Sequence, residues 1–277
     1  MVSFIPIPVT LLLVCVTVLY LRGWLRLRAT FPQLVSRDRV AAFLAGIFCA
    51  WLALASPLAT LDHQLLSIHM IQHLLLMTGA ASLVLVGKPV TVLLPVLPES
   101  FVGRVARFRS EQTWTAWLGR ISSSSVFCWF AGTITVITWH IPAAFALGHH
   151  SVWWHELEQA SFLLGGMLFW WPVIRPWPSA AREPRWSVPL YLFLATLPCD
   201  ALSAYLVFCD HVVYRPYLSA PRLLNLSVLQ DQQWAGTLMW VAVTLIYVVP
   251  AVAITVRLLS ARHGHAPARE MQAGLSP

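Results

Sequence analysis

Residues 62–77 read DHQLLSIHMIQHLLLM, and how this stretch is read decides the fold. His69 and His73 are four residues apart inside an apolar run that continues to Val86. At helical spacing they lie one above the other on a single face. Met70 and Met77 stand beside them, and Asp62 lies seven residues before His69, near the same stripe. Imidazoles are costly in hydrocarbon. If the run crosses a membrane, the pair is a candidate functional site.

Composition says that it does cross. Of 277 residues, 58% are hydrophobic and 10% charged, and the mean hydropathy is +0.70. A soluble domain carries about 25% charged residues. The 14 tryptophans fit aromatic belts at the membrane interfaces. The expected fold class is an all-α integral membrane protein. Stretches at 2–21, 39–59, 63–86, 126–147, 153–174, 187–208 and 233–257 predict seven spans, each near the ~20 residues a bilayer requires. The first has no basic run before it, which argues against a cleaved signal peptide.

Charge orients the chain. Of its 18 lysines and arginines, all but Arg215 and Arg222 fall in loops or a tail on one side. The positive-inside rule then puts the N-terminus outside and the C-terminus in the cytoplasm, here of a bacterial inner membrane. The net charge of +7 serves topology, so no nucleic-acid partner is expected. The expected organisation is a membrane domain over 1–259 and a short disordered tail over 260–277. The cytoplasmic loop 88–125 mixes Phe101, Trp114 and Trp117 with arginines. Residues 99–120 of it read as a helix lying on the inner leaflet or as a plain basic loop.

Under this topology polar groups share a depth. His69, His140, Asp200 and Met239 sit roughly 9–12 Å below the outer ends of four different spans. His155 and Glu158 open the fifth, slightly shallower, and His73 is one turn deeper than His69. The candidate metal ligands are His69, His73, His140, His155, Met70, Met77, Met239 and Asp200. Imidazole with soft sulfur selects copper, especially Cu(I). Imidazoles with a carboxylate and a water suit zinc. Asp62, Glu158, Gln159, Asp231 and Gln232 are candidates for the mouth and the surroundings of the site. The acids there guide cations or cap helices, and Asp62 stands where a carboxylate favours the start of span three.

Blander readings compete. Methionines on apolar helices pack, and the histidine pair can tie two helices together by hydrogen bonds. Cys15, Cys49 and Cys128 read as small buried hydrophobes. Cys199 and Cys209 are too far apart along a helix for a disulfide and stay open as ligands. HELEQ at 155–159 lacks the second histidine of the HExxH zinc motif.

Several runs, in order, carry a resemblance: HMIQHLLLM (69–77), GKPV (87–90), WHIP (139–142), FLLGGMLFWWPVI (162–174), YRPY (214–217) and DQQWAGTLMW (231–240). Over roughly residues 40–258 the chain resembles the caa3-type cytochrome oxidase assembly factor family, the multi-span proteins called CtaG. The resemblance implies a role in maturing a haem–copper oxidase by handling copper on the outer face. The family's motif histidines map onto His69, His73 and His140. Its DQ…G..MW signature maps onto Asp231, Gln232, Gly236, Met239 and Trp240. One position departs from the pattern: a histidine before the Ser-Phe of span five is Gln159 here, and His155 stands one turn earlier.

The expected function is therefore a non-enzymatic assembly factor that holds copper and passes it to an oxidase subunit, with a periplasmic copper donor upstream. Two alternatives stay open. One is an intramembrane zinc hydrolase with Asp200 or Glu158 as base. The other is a b-type haem protein with His73 and His140 as axial ligands.

Overall fold

The structure, a computed structural model, describes residues 7–96, 124–176, 186–221 and 225–273. Every regular element among them is helical. The loop segment expected to lie on the inner leaflet falls largely outside these residues.

The chain opens with α1, Ile7–Thr30, and α2, Arg37–Leu54. Only Tyr20 and Gly23 of α1 are buried. Val16, Leu21, Trp24 and Leu27 pack beside Tyr20, and Leu11, Leu12, Val14 and Leu25 face outward, as suits a helix in lipid. Tyr20 stacks on Phe43 of α2 with ring centroids 3.6 Å apart, and its hydroxyl donates to Gly87 O at 2.7 Å. A short 3-10 turn, Pro57–Thr60, closes this pair.

The histidine stretch forms α3, Leu66–Leu74, which passes through a π-helical turn, Leu75–Ala80, into α4, Ala81–Val86. Together they make a 21-residue span, the most buried of the five long apolar spans among the described residues. Its start is capped from a distance. Asp231 accepts from Leu66 N at 2.6 Å, from Ser67 N at 3.3 Å and from Ser67 Oγ at 2.6 Å. Asp62, placed by sequence to favour this helix start, turns elsewhere. After a short helix, α5 (Pro89–Leu93), the chain reaches α6, Ser125–His140, and α7, Pro142–His150.

These two helices meet at 76°, where the sequence reads one span over 126–147. Pro142 is the cause: it has no N–H to donate and its ring clashes with the preceding turn. Tyr214 uses a carbonyl at the break, donating to His140 O at 3.1 Å. Next come α8, Val152–Ile174, and α9, Ser187–Phe208. A 3-10 turn, Arg215–Ser219, leads to α10, Val228–Ala273, whose last residues belong to the segment expected to be a tail.

Among the described residues, five helices are long and apolar enough to cross a bilayer: α1, α2, α3–α4, α9 and α10. The bent pair α6–α7 makes a sixth if counted as one span. Helix α8 has 23 residues, about 34 Å of helix, but carries His155, Glu156, Glu158 and Gln159 in its first turns.

Small residues bring α8 against the central span. A Cβ at Gly166 would stand 2.5 Å from Met77 O. Trp170 Nε1 donates to the same carbonyl at 3.1 Å, taking up an acceptor on the π turn. The histidine face of α3 is thereby held against the first turns of α8.

Asp231→Ala should strip the cap from α3. It leaves two main-chain donors unpaired, one buried and one half-buried, and should lower stability by about 2 kcal/mol. Thermal unfolding of the purified protein in detergent checks this, with Asp231→Asn expected to lose less.

Candidate metal centre

His69 and His73 project from one face of α3 with ring centroids 4.3 Å apart. Glu158, from the second turn of α8, comes between them. Its Oε1 lies 3.4 Å from His69 Nε2 and 3.4 Å from His73 Nε2. All three side chains are at most 5% exposed. Neither contact has hydrogen-bond geometry. His69 Nε2, both ring nitrogens of His73 and both oxygens of Glu158 are buried without a hydrogen-bond partner. A bare carboxylate in such surroundings costs several kcal/mol unless something positive meets it. A cation among these donors would satisfy them together. Gly148 of α7 makes room for the acid, since a Cβ there would stand 2.6 Å from Glu158 Oε2.

Toward one end of the bundle a second cluster follows. His155, one turn before Glu158, puts Nε2 3.3 Å from Asp62 Oδ2 and Nδ1 3.8 Å from Glu158 Oε2. The main chain of Asp62 is fixed by Tyr217, whose hydroxyl donates to its carbonyl at 2.6 Å. The YRPY run thus positions both ends of the site, with Tyr214 on His140 and Tyr217 on Asp62. His63 approaches His149, with their Nδ1 atoms 3.4 Å apart. Asp62, His63, His149, His150, His155 and Gln159 line a cavity of about 330 Å³.

In the other direction lies a smaller space of about 30 Å³, lined by Met70, Met77, Met239, Cys199, His73 and His140. His140 Nδ1 sits 2.7 Å from Val136 O. A carbonyl only accepts, so Nδ1 carries the proton and Nε2 keeps its lone pair, buried and without a partner. Phe162 stacks on His73 with centroids 3.8 Å apart and fixes that ring.

Of the residues singled out by sequence, Asp62, His155 and Gln159 border the larger cavity, Met70, His73, Met77, His140 and Met239 line the smaller space, and His69 and Glu158 stand between them, so that all ten form one run of neighbouring groups. Asp200 does not join it: it is half-buried on α9 beside Thr244, 3.4 Å from its Oγ1. Asp231 caps α3. Gln232 accepts from Val213 N at 2.8 Å and donates to His211 O at 3.1 Å, so it pins a loop. Cys199 reaches the sulfur-lined space, whereas Cys209 lies on that loop beside His211. Glu158 stands at the centre rather than at the mouth. Its position three residues after His155 was the sequence signal, because the two share a helix face.

At the open end, two groups that lie between helices have shifted affinities for protons. Burial alone would raise the Asp62 carboxyl, but the His155 hydrogen bond and neighbouring imidazoles hold it below its ordinary value. Burial lowers the His63 imidazole, against the pull of Asp62.

A family model described as cytochrome c oxidase caa3 assembly factor matches residues 18–261. An uncharacterized protein of Mycobacterium leprae is 27% identical over 246 residues, covering 85% of this chain and 36% of that protein. Uncharacterized proteins of Mycobacterium bovis and Mycobacterium tuberculosis are each 26% identical over 212 residues, covering 73% of this chain and 31% of theirs. The chain spans about a third of the length of the curated relatives it matches. No solved structure matches.

Both shifts at the open end make acid destabilising. Each folded value lies below the unfolded one, so the unfolded chain binds protons first as the pH falls. The His63 contribution is complete above about pH 6.5 and is lost below it; that of Asp62 is lost lower, through the carboxylate range. His63→Ala should therefore lessen the loss of melting temperature between about pH 8 and about pH 5 relative to the unmodified chain. The same pH dependence in both chains would contradict the arrangement.

Proposed function

The chain belongs to the cytochrome c oxidase caa3 assembly factor family, and from that premise we propose that it binds copper in the outer half of the membrane and passes it to an oxidase subunit. It works without catalysis, with copper as cargo received from a periplasmic donor. Counting α8 and the bent pair α6–α7 as spans gives seven crossings. The distribution of basic residues then places the N-terminus and the histidine-lined cavity outside, and α10 ends in the cytoplasm.

One observation carries this reading: His69, His73 and Glu158 are buried together with their donor atoms unpaired. Two neutral imidazoles and a carboxylate form an anionic pocket that a metal ion neutralises. The thioethers of Met70, Met77 and Met239, with Cys199, lie beside His73 and offer the soft donors that suit Cu(I). The donors exceed what one ion uses. A surplus of weak ligands favours exchange, as delivery requires.

A second reading has a specific support. Two histidines and a glutamate also make up the ligand set of catalytic zinc. An intramembrane zinc hydrolase would keep stoichiometric zinc and no copper on purification. A b-type haem between His73 and His140 finds less support, because the adjoining space of about 30 Å³ suits an ion.

Joint replacement of the pair, His69→Ala with His73→Ala, should lower copper per purified chain and lower oxidase activity in membranes, while the protein still inserts. Metal analysis and oxidase assays measure both. Copper content equal to that of the unmodified chain would remove the pair as ligands.

A further inference from the structure

We propose that His155 is a shared ligand that carries one divalent transition-metal ion between an outer position at Asp62 and His63 and the inner position at His69, His73 and Glu158. This rests on the reading that the inner cluster binds metal, and adds a second position and a route.

Two groups of donors stand close enough to hold an ion. Asp62, His63 and His155 offer ligand atoms within 4.8 Å of one another, and so do His69, His73 and Glu158. The groups have no member in common, yet the His155 ring touches both. Its Nε2 faces Asp62 at 3.3 Å and its Nδ1 faces Glu158 at 3.8 Å. Exposure falls steadily along this line. The His63 side chain is 50% exposed, His155 18%, and His69 5%. The outer group borders the open cavity, and the inner group is sealed.

The chemistry of the ring sets the rule of transfer. A neutral imidazole has one lone pair and one N–H. An ion at the outer position takes Nε2, and Nδ1–H is then directed toward Glu158. An ion at the inner position takes Nδ1, and Nε2–H is directed toward Asp62. Moving inward breaks the metal–Nε2 bond, forms a metal–Nδ1 bond and shifts one proton from Nδ1 to Nε2. Each carboxylate is a base beside one of those nitrogens. The oxidation state of the ion does not change, so no electron donor or acceptor is needed. One ring cannot serve both positions at once, so they are occupied in turn. Gln159 fits this exchange: its amide lies 3.3 Å from His155 Nε2, and an amide can donate to a bare nitrogen or accept from a protonated one. Both positions pair imidazole with carboxylate, which suits a divalent ion. The sulfur donors lie deeper.

Cu(II) added to the purified full chain in detergent tests the proposal, read by electron paramagnetic resonance and by transfer to EDTA. The unmodified chain should bind one Cu(II) tightly. Asp62→Asn with His63→Ala should slow uptake and release about tenfold and weaken the final affinity by about tenfold at most, because Asp62 also receives the Nε2–H of His155 when the ion is inside. The milder His63→Ala should move rates the same way. Tyr217 bonds the main chain of Asp62, so these variants keep that contact, and thermal unfolding confirms their fold. His69→Ala with His73→Ala should still bind one Cu(II), about 10–100-fold more weakly, with an altered resonance and fast loss to EDTA.

Uptake by the outer variants at the original rate would overturn the route, and two tightly held ions per unmodified chain would overturn the alternation. No binding by the inner variant would overturn the outer position. If the inner variant instead bound copper as the unmodified chain does, the underlying metal site would fail first.

Discussion

The structure depends on a carboxylate placed where water does not reach. Glu158 lies against His69 and His73 at 3.4 Å from each, with no aligned hydrogen bond to relieve it. Such a group is tolerated only if a positive partner meets it or the surrounding fold holds it in place. Here the fold holds it: Gly148 leaves the space it occupies, and the Gly166–Met77 approach presses its helix onto α3.

The remaining elements serve that contact. The π turn below His73 presents Met77 O to Trp170, and Asp231 from the last helix fixes the start of the histidine helix. The bend at Pro142 carries α7 across the open end, where Gly148 and His149 complete the walls. Tyr214 and Tyr217 then fasten the break and the Asp62 loop. Several short polar contacts to main-chain groups thus shape a pocket inside an otherwise apolar bundle. Donor character also grades along it, from imidazole and carboxylate at the open end to thioether and thiol at the closed end.

Much of this was legible in the residues. The histidine face of α3 followed from four-residue spacing, and counting down apolar runs grouped His140 with Met239, which line one small space. Other positions misled because a place along a helix does not fix direction. Asp200 was counted to the same level but faces Thr244. Asp231 and Gln232 belong to a family signature and lie near the mouth, yet their side chains are spent on main-chain donors and acceptors. Glu158 read as a mouth residue because it lies near the start of its span. The bend of α6–α7 over the site makes that position interior.

The sequence by itself determined that the chain is helical and apolar enough for a membrane, and which face of α3 carries the histidines. Those properties follow from composition and from a repeat of 3.6 residues, which are local. Only the tertiary structure decided which acid meets the histidines, which acid caps their helix, and that His155 touches two clusters. These depend on how helices distant in sequence rotate and approach one another, and that is set by packing at a few glycines and one proline.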